Sequence, residues 1–123
     1  MAAPQTVVVA DDSRLARKQL IKVLPEDWKA AAVEASNGQE ALEAYFGYAE
    51  VVLFLDLTMP DMDGFEVLQA LHDKGEDHRT IVVSADIQED AQNRVLALGA
   101  LDFLAKPVDH STLAEVLQKA GMQ

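Results

Sequence analysis

The chain has 123 residues, a formal net charge of −11 and no cysteine. The length suits one domain, and the half-hydrophobic composition excludes a disordered chain. Lack of cysteine excludes disulfides and zinc–thiolate sites, and the acidity disfavours direct contact with nucleic acid or anionic lipid. No apolar stretch approaches the roughly 18 residues that suggest a membrane span. The segment Met1-Ala-Ala-Pro4 lacks the basic flank and apolar core of a signal peptide. A cytoplasmic protein without membrane insertion is therefore expected.

In chain order, Thr6–Ala10 is apolar and β-branched and reads as a buried strand. Ser13–Leu24 has a helical apolar face through Ala16, Leu20, Val23 and Leu24, and Pro25 stops it. Ala30–Ala35 reads as a weaker strand, preceded by Trp28, whose expected role is packing on the first helix. Asn37-Gly38 is a turn signal, and Gln39–Tyr48 is helical with Gly47 fraying its end. Val51–Leu55 is the clearest buried strand. Phe65–Asp73 is helical, with Phe65, Leu68 and Leu71 on one face and Gly75 past its end. Thr80–Val83 is a fourth strand, Ile87–Leu98 a fourth helix closed by Gly99, and Ala100–Ala105 a fifth strand. Ser111–Ala120 is a final helix, with Leu113, Val116 and Leu117 inward and Ser111 or Asp109 as cap. Five strands alternating with five helices predict a parallel α/β sheet covered on both faces.

Four apolar runs end on informative polar residues: Asp11-Asp12, Asp56, Ser84 and Lys106-Pro107. Parallel strands bring their C-terminal ends to one sheet edge, where open α/β sheets bind ligands. Three carboxylates crowded there repel, by roughly 4 kcal/mol per pair at 4 Å and an effective dielectric near 20. A cation is implied, and oxygen donors favour a hard ion such as Mg²⁺. Each residue alone also has an ordinary role. Asp12 or Ser13 can cap the first helix, Asp56 can shape a turn, Ser84 can be a structural hydroxyl, and Lys106 can be a solvated surface charge.

These motifs carry a family resemblance. The acidic pair Asp11-Asp12, the run Asp56-Leu-Thr-Met-Pro-Asp-Met-Asp-Gly64, Ser84-Ala85 and Lys106-Pro107 occur in order. From Thr6 to Ala120 the chain resembles the receiver domain of two-component response regulators, and in size the single-domain chemotaxis receivers. The resemblance implies a flavodoxin-like doubly wound sheet of strand order 2-1-3-4-5. It implies one receiver domain over residues 1–123 with no output domain. Asp56 would accept a phosphoryl group from a histidine kinase or histidine phosphotransfer protein. Asp11, Asp12, Asp56 and the backbone carbonyl of Thr58 would hold Mg²⁺, with Asp11 acting mainly through water. Lys106 would offset phosphoryl charge, while Ser84 and Phe103 would form the switch. The Lys106–Pro107 peptide is expected to be cis. Pro60 would shape the loop after the acceptor, and Gly64 would permit a backbone conformation closed to other residues.

The sequence departs from the commonest pattern in places. Ser84 stands where Thr is common, and Phe103 lacks a tyrosine hydroxyl. The resemblance implies that Thr58 and Asp86, two places after Asp56 and Ser84, would border the path of the attacking water and tune phosphate lifetime. In the first helix, Arg14, Arg17, Lys18 and Lys22 are four of the ten basic residues. Arg14, Lys18 and Lys22, spaced four apart, form either a solvated face or a docking face for an acidic phosphodonor. The output surface, from Gln88, Glu89 and Asn93 to Asp102 and Ser111–Lys119, shows no strong apolar stripe and names no downstream protein. A monomer or a weak phosphorylation-dependent dimer is expected, and no enzyme: the chain would catalyse only its own aspartyl phosphorylation and dephosphorylation. Competing classes are a Mg²⁺-dependent aspartyl phosphohydrolase, which commonly has an acid where Thr58 stands, and an interaction module that never takes phosphate. A flavin-binding relative is disfavoured, because Asp-Asp-Ser is not a hydroxyl-rich phosphate cradle.

Overall fold

The apolar runs form five parallel strands, β1 (Thr6–Ala10), β2 (Ala32–Ala35), β3 (Val51–Asp56), β4 (Arg79–Ser84) and β5 (Asp102–Ala105). They lie in the order β2-β1-β3-β4-β5. These observations come from a computed structural model that describes residues 4–75, 77–85 and 88–122. The connecting helices are α1 (Arg14–Val23), α2 (Glu26–Ala30), α3 (Gly38–Gly47), α4 (Gly64–Asp73), α5 (Glu89–Ala97) and α6 (His110–Lys119).

Side chains alternate across the pleat, so each strand feeds two cores. Val7, Val9, Phe54, Ile81, Val83 and Leu104 pack under α1, α2 and α6. Val8, Leu53, Leu55 and Val82 pack under α3, α4 and α5. The central strand β3 is buried along its whole length, which is why its sequence is uniformly apolar up to Asp56. Each fully covered Val, Leu or Phe contributes about 1.5–3 kcal/mol.

Local capping sets where the helices begin. Ser13, Asn37 and Asp109 each accept from a backbone N–H three residues on. Asp63 and Glu66 form a reciprocal capping box at α4. Of the candidate caps, Ser13 rather than Asp12 serves α1, and Asp109 rather than Ser111 serves α6.

The five expected helices become six. The addition is α2, a single turn directly after Pro25. It forms because Trp28 is only 3% exposed, wedged against Phe54 and the α1 core. Coiling there also moves the start of β2 from Ala30 to Ala32. The predicted start of the helix after β4, Ile87, and the lifetime position Asp86 lie outside the described residues. No helix among the described residues is long and apolar enough to cross a membrane.

Candidate functional site

Strand register assembles the site. Ala10 pairs with Leu55, so Asp11 and Asp56 leave neighbouring strands side by side. Ser84 pairs with Ala105, which places Lys106 one residue beyond the β4–β5 ladder. Asp11, Asp56 and Lys106 follow Val9, Phe54 and Leu104 by two residues and therefore share the α1/α6 face. Ser84 follows Val82 and belongs to the opposite face.

The Lys106 ammonium lies 2.6 Å from Asp11 Oδ2 and 3.4 Å from Asp56 Oδ1. The first distance is a charge-assisted hydrogen bond, and the second exceeds that range. Lys106 is thus committed to Asp11 first, leaving Asp56 only partly compensated. Burial, followed by the neighbouring Asp11 charge, pushes the Asp56 carboxyl above its ordinary range, against the pull of Lys106 and the Thr58 backbone N–H. Burial of Lys106 opposes its charged form, but Asp11 and Asp56 together outweigh this and hold it above its ordinary value.

Asp11 and Asp56 are each 5% exposed, while Asp12 stands open to solvent. One carboxylate oxygen from each of the three lies within 4.8 Å of the others. A donor set of carboxylate oxygens without His or Cys fits a hard divalent cation. The site has an open side at Asp12, and Thr58 is exposed there as well.

The loop after Asp56 is held tightly. The Gly64 N–H donates to the Leu57 carbonyl at 3.0 Å. A Cβ on Gly64 would run into the Asp56 carbonyl oxygen and sit 2.8 Å from Leu57 Cα. Gly64 does not have a positive φ, so it is required for space, a correction to the conformational role expected of it. The left-handed residue in this loop is Asp61, at φ 67°. The Lys106–Pro107 peptide is cis.

Ser84 is buried, and Phe103 is half-buried against the core under α3, α4 and α5. They share a sheet face, because Val82 and Ser84 pair with Phe103 and Ala105. The basic cluster of α1 divides. Arg14 and Lys22 stand exposed, whereas Lys18 bonds Glu34 at 2.6 Å. Arg17 turns inward, with its guanidinium on Glu34 at 2.9 Å and on the Asp11 carbonyl at 2.7 Å. Its contact with the acidic loop has no local sequence signal, since Glu34 is brought up by the sheet.

Beside the site, a cavity of about 910 Å³ runs between α1 and the start of α6. Asp11 and Lys106 line one end, and Leu20, Leu24, Phe54 and Val108 make its apolar walls.

Comparison with known proteins agrees with this geometry. Residues 7–118 match the model of the response regulator receiver domain. An uncharacterised response regulatory protein of Vibrio cholerae is 37% identical over 120 residues, which is 96% of this chain and 45% of that one. The chain thus spans under half of that relative. The chemotaxis protein CheY of Thermotoga maritima is 31% identical over 115 residues, covering 94% of this chain and 96% of that protein. The CheX–CheY–BeF3–Mg²⁺ complex of Borrelia burgdorferi superposes with a TM-score of 0.85 at 26% identity, covering 98% of this chain and 92% of that one. The chain therefore belongs to the response regulator receiver domain family.

Proposed function

We propose that Asp56 is the phosphoacceptor of a two-component signalling switch. The observation that carries this is a buried, under-compensated carboxylate at the end of the central strand, flanked by two acids and a lysine. An Asp56 carboxylate oxygen attacks the phosphorus of a phosphohistidine on a histidine kinase or histidine phosphotransfer protein. A P–O bond forms, the P–N bond breaks, and the imidazole nitrogen leaves with the electron pair. Asp11, Asp12 and Asp56, with the Thr58 carbonyl, would hold Mg²⁺. Bound there, the cation supplies charge neutralisation to the transferring phosphoryl oxygens.

Lys106 serves the same end from the other side. Its ammonium is already poised between Asp11 and Asp56, so no reorganisation is needed as negative charge arrives. Ser84 sits on the other face of the pleat, where its hydroxyl can turn toward a phosphoryl oxygen. Phe103, on that same face, then shifts further into the core and changes the surface presented to a downstream protein.

Incubation with Mg²⁺ and acetyl phosphate, followed by intact-mass measurement, tests the proposal. The expected result is a labile phosphate adduct that Asp56→Asn abolishes. No adduct, or steady hydrolysis of unrelated phosphomonoesters, would overturn it in favour of an inert module or a hydrolase.

A further inference from the structure

Asp11 is clamped at every polar atom. Its N–H donates to the Ala35 carbonyl at 3.0 Å. Its Oδ1 accepts from the Ser13 N–H at 2.9 Å, and its Oδ2 accepts from Lys106 at 2.6 Å. Its own carbonyl accepts from Arg17 Nη1 at 2.7 Å. Arg17 is the member that reaches outside the loop for support. Its Nε donates to Glu34 Oε1 at 2.9 Å, and Lys18 holds the other Glu34 oxygen at 2.6 Å. Hydrogen bonds from Lys18, then Arg17, hold the Glu34 carboxyl below its usual range. The Arg17 side chain is 13% exposed and its bond to the Asp11 carbonyl is partly buried, whereas the Glu34 end of the fork, 29% exposed, faces solvent.

We propose that Arg17 is a positioning residue: braced by Glu34, it fixes the Asp11 peptide so that the acidic pair faces Asp56 in geometry suited to a cation. This rests on the proposed Mg²⁺ and phosphoacceptor reading. A guanidinium suits the task because its rigid planar fork spans two acceptors at once, which a lysine ammonium cannot do in the same geometry. Only Asp11, Asp12 and Ser13 link β1 to α1. A turn of the Asp11 peptide would therefore carry both carboxylates off their register with Asp56.

Charge and position make opposite demands on Arg17. As a cation near a cation site, it repels Mg²⁺, and its removal by charge alone tightens binding. As a brace, it supports the ligands, and its removal loosens binding. Partners that orient metal ligands are typically worth 10–100-fold in affinity.

The experiment is calorimetric titration of Mg²⁺ into wild type, Arg17→Met, Arg17→Lys and Glu34→Gln, with melting curves in EDTA. Arg17→Met is expected to weaken Mg²⁺ about tenfold. Arg17→Lys, which keeps the charge and loses the fork, is expected to weaken it nearly as much. Glu34→Gln is expected to weaken wild type but to add little on top of Arg17→Met, since both act through one contact. Amide exchange in EDTA gives a metal-free reading: the Ser13 N–H should exchange faster in Arg17→Met. If Arg17→Met fails to melt cooperatively, Glu34→Gln, on a partly exposed side chain, carries the test alone, and unchanged Mg²⁺ affinity together with unchanged Ser13 exchange overturns the proposal. In folded Arg17→Met, unchanged or tighter Mg²⁺ binding overturns it, as does wild-type affinity in Arg17→Lys. No Mg²⁺ binding by wild type instead overturns the cation reading beneath it.

Discussion

The two helix layers cover the same sheet but do different work. The layer of α1, α2 and α6 takes the side chains in phase with Val9, Phe54 and Leu104, and so receives Asp11, Asp56 and Lys106 at its end. The layer of α3, α4 and α5 takes those in phase with Val82, and so receives Ser84 and Phe103. A one-residue alternation thus separates the charges proposed to set the switch from the groups proposed to report it. The first layer also holds the apolar cavity between α1 and α6, whereas the second closes with Phe103 only half buried.

The largest expected difference is in stability. Phe54 is 1% exposed, touches Trp28 and already lines the cavity, so its site has little means of collapsing. Phe54→Ala should cost about 3–5 kcal/mol. At about 4 °C per kcal/mol, that is a fall of well over 10 °C in Tm. Phe103→Ala removes a half-buried ring and should cost less than half as much in the same melting experiment. It should leave the phosphate adduct intact while altering binding of the downstream protein. Equal costs at the two positions would contradict the contrast between the layers.

A smaller effect of opposite sign is expected at Asp56. Its folded-state carboxyl titrates above its unfolded value. Across that window the folded state binds more protons, so stability falls as pH rises through it and stays lower above it. In EDTA at neutral pH, Asp56→Asn should therefore raise stability, by on the order of 1 kcal/mol once lost attraction to Lys106 offsets relieved repulsion from Asp11. The gain should shrink as pH is lowered toward the ordinary carboxylate range. A destabilised Asn variant would mean that Lys106 serves Asp56 before Asp11.

The smallest stability effect is expected at Arg14 and Lys22. Both are exposed, so reversing both to Glu should move stability by about 0.5 kcal/mol or less per site. If α1 receives an acidic phosphodonor, the reversal should slow transfer from the histidine donor and spare phosphorylation by acetyl phosphate. Equal slowing of both would assign the pair to the site itself.

Much of this was legible in the sequence, and the reason is physical. Buried parallel strands must be apolar throughout, so a polar residue that ends such a run marks the sheet edge. Asp11, Asp56, Ser84 and Lys106 each end such a run, so the sequence alone places them at that edge. The helix α2 escaped this reading because five residues are too few for a helical period, and its cause is the burial of one residue, Trp28. The role of Arg17 escaped it because Arg17 falls outside the i, i+4 set of Arg14, Lys18 and Lys22, and helical spacing does not reveal what lies across from a helix face. Glu34 approaches Arg17 only after β2 pairs with β1. The need for glycine at position 64 is spatial rather than conformational, and its cause, the close approach of the α4 N-terminus to Asp56, is tertiary.

The central claim is that phosphate enters on Asp56 and on no other acid of the cluster. Borohydride reduces an aspartyl phosphate to homoserine, which marks the acceptor by peptide mass. After treatment with Mg²⁺ and acetyl phosphate, the expected result is homoserine at position 56, with Asp11 and Asp12 unmodified. Homoserine at position 11 or 12, or an unmodified peptide spanning Asp56, would contradict the account.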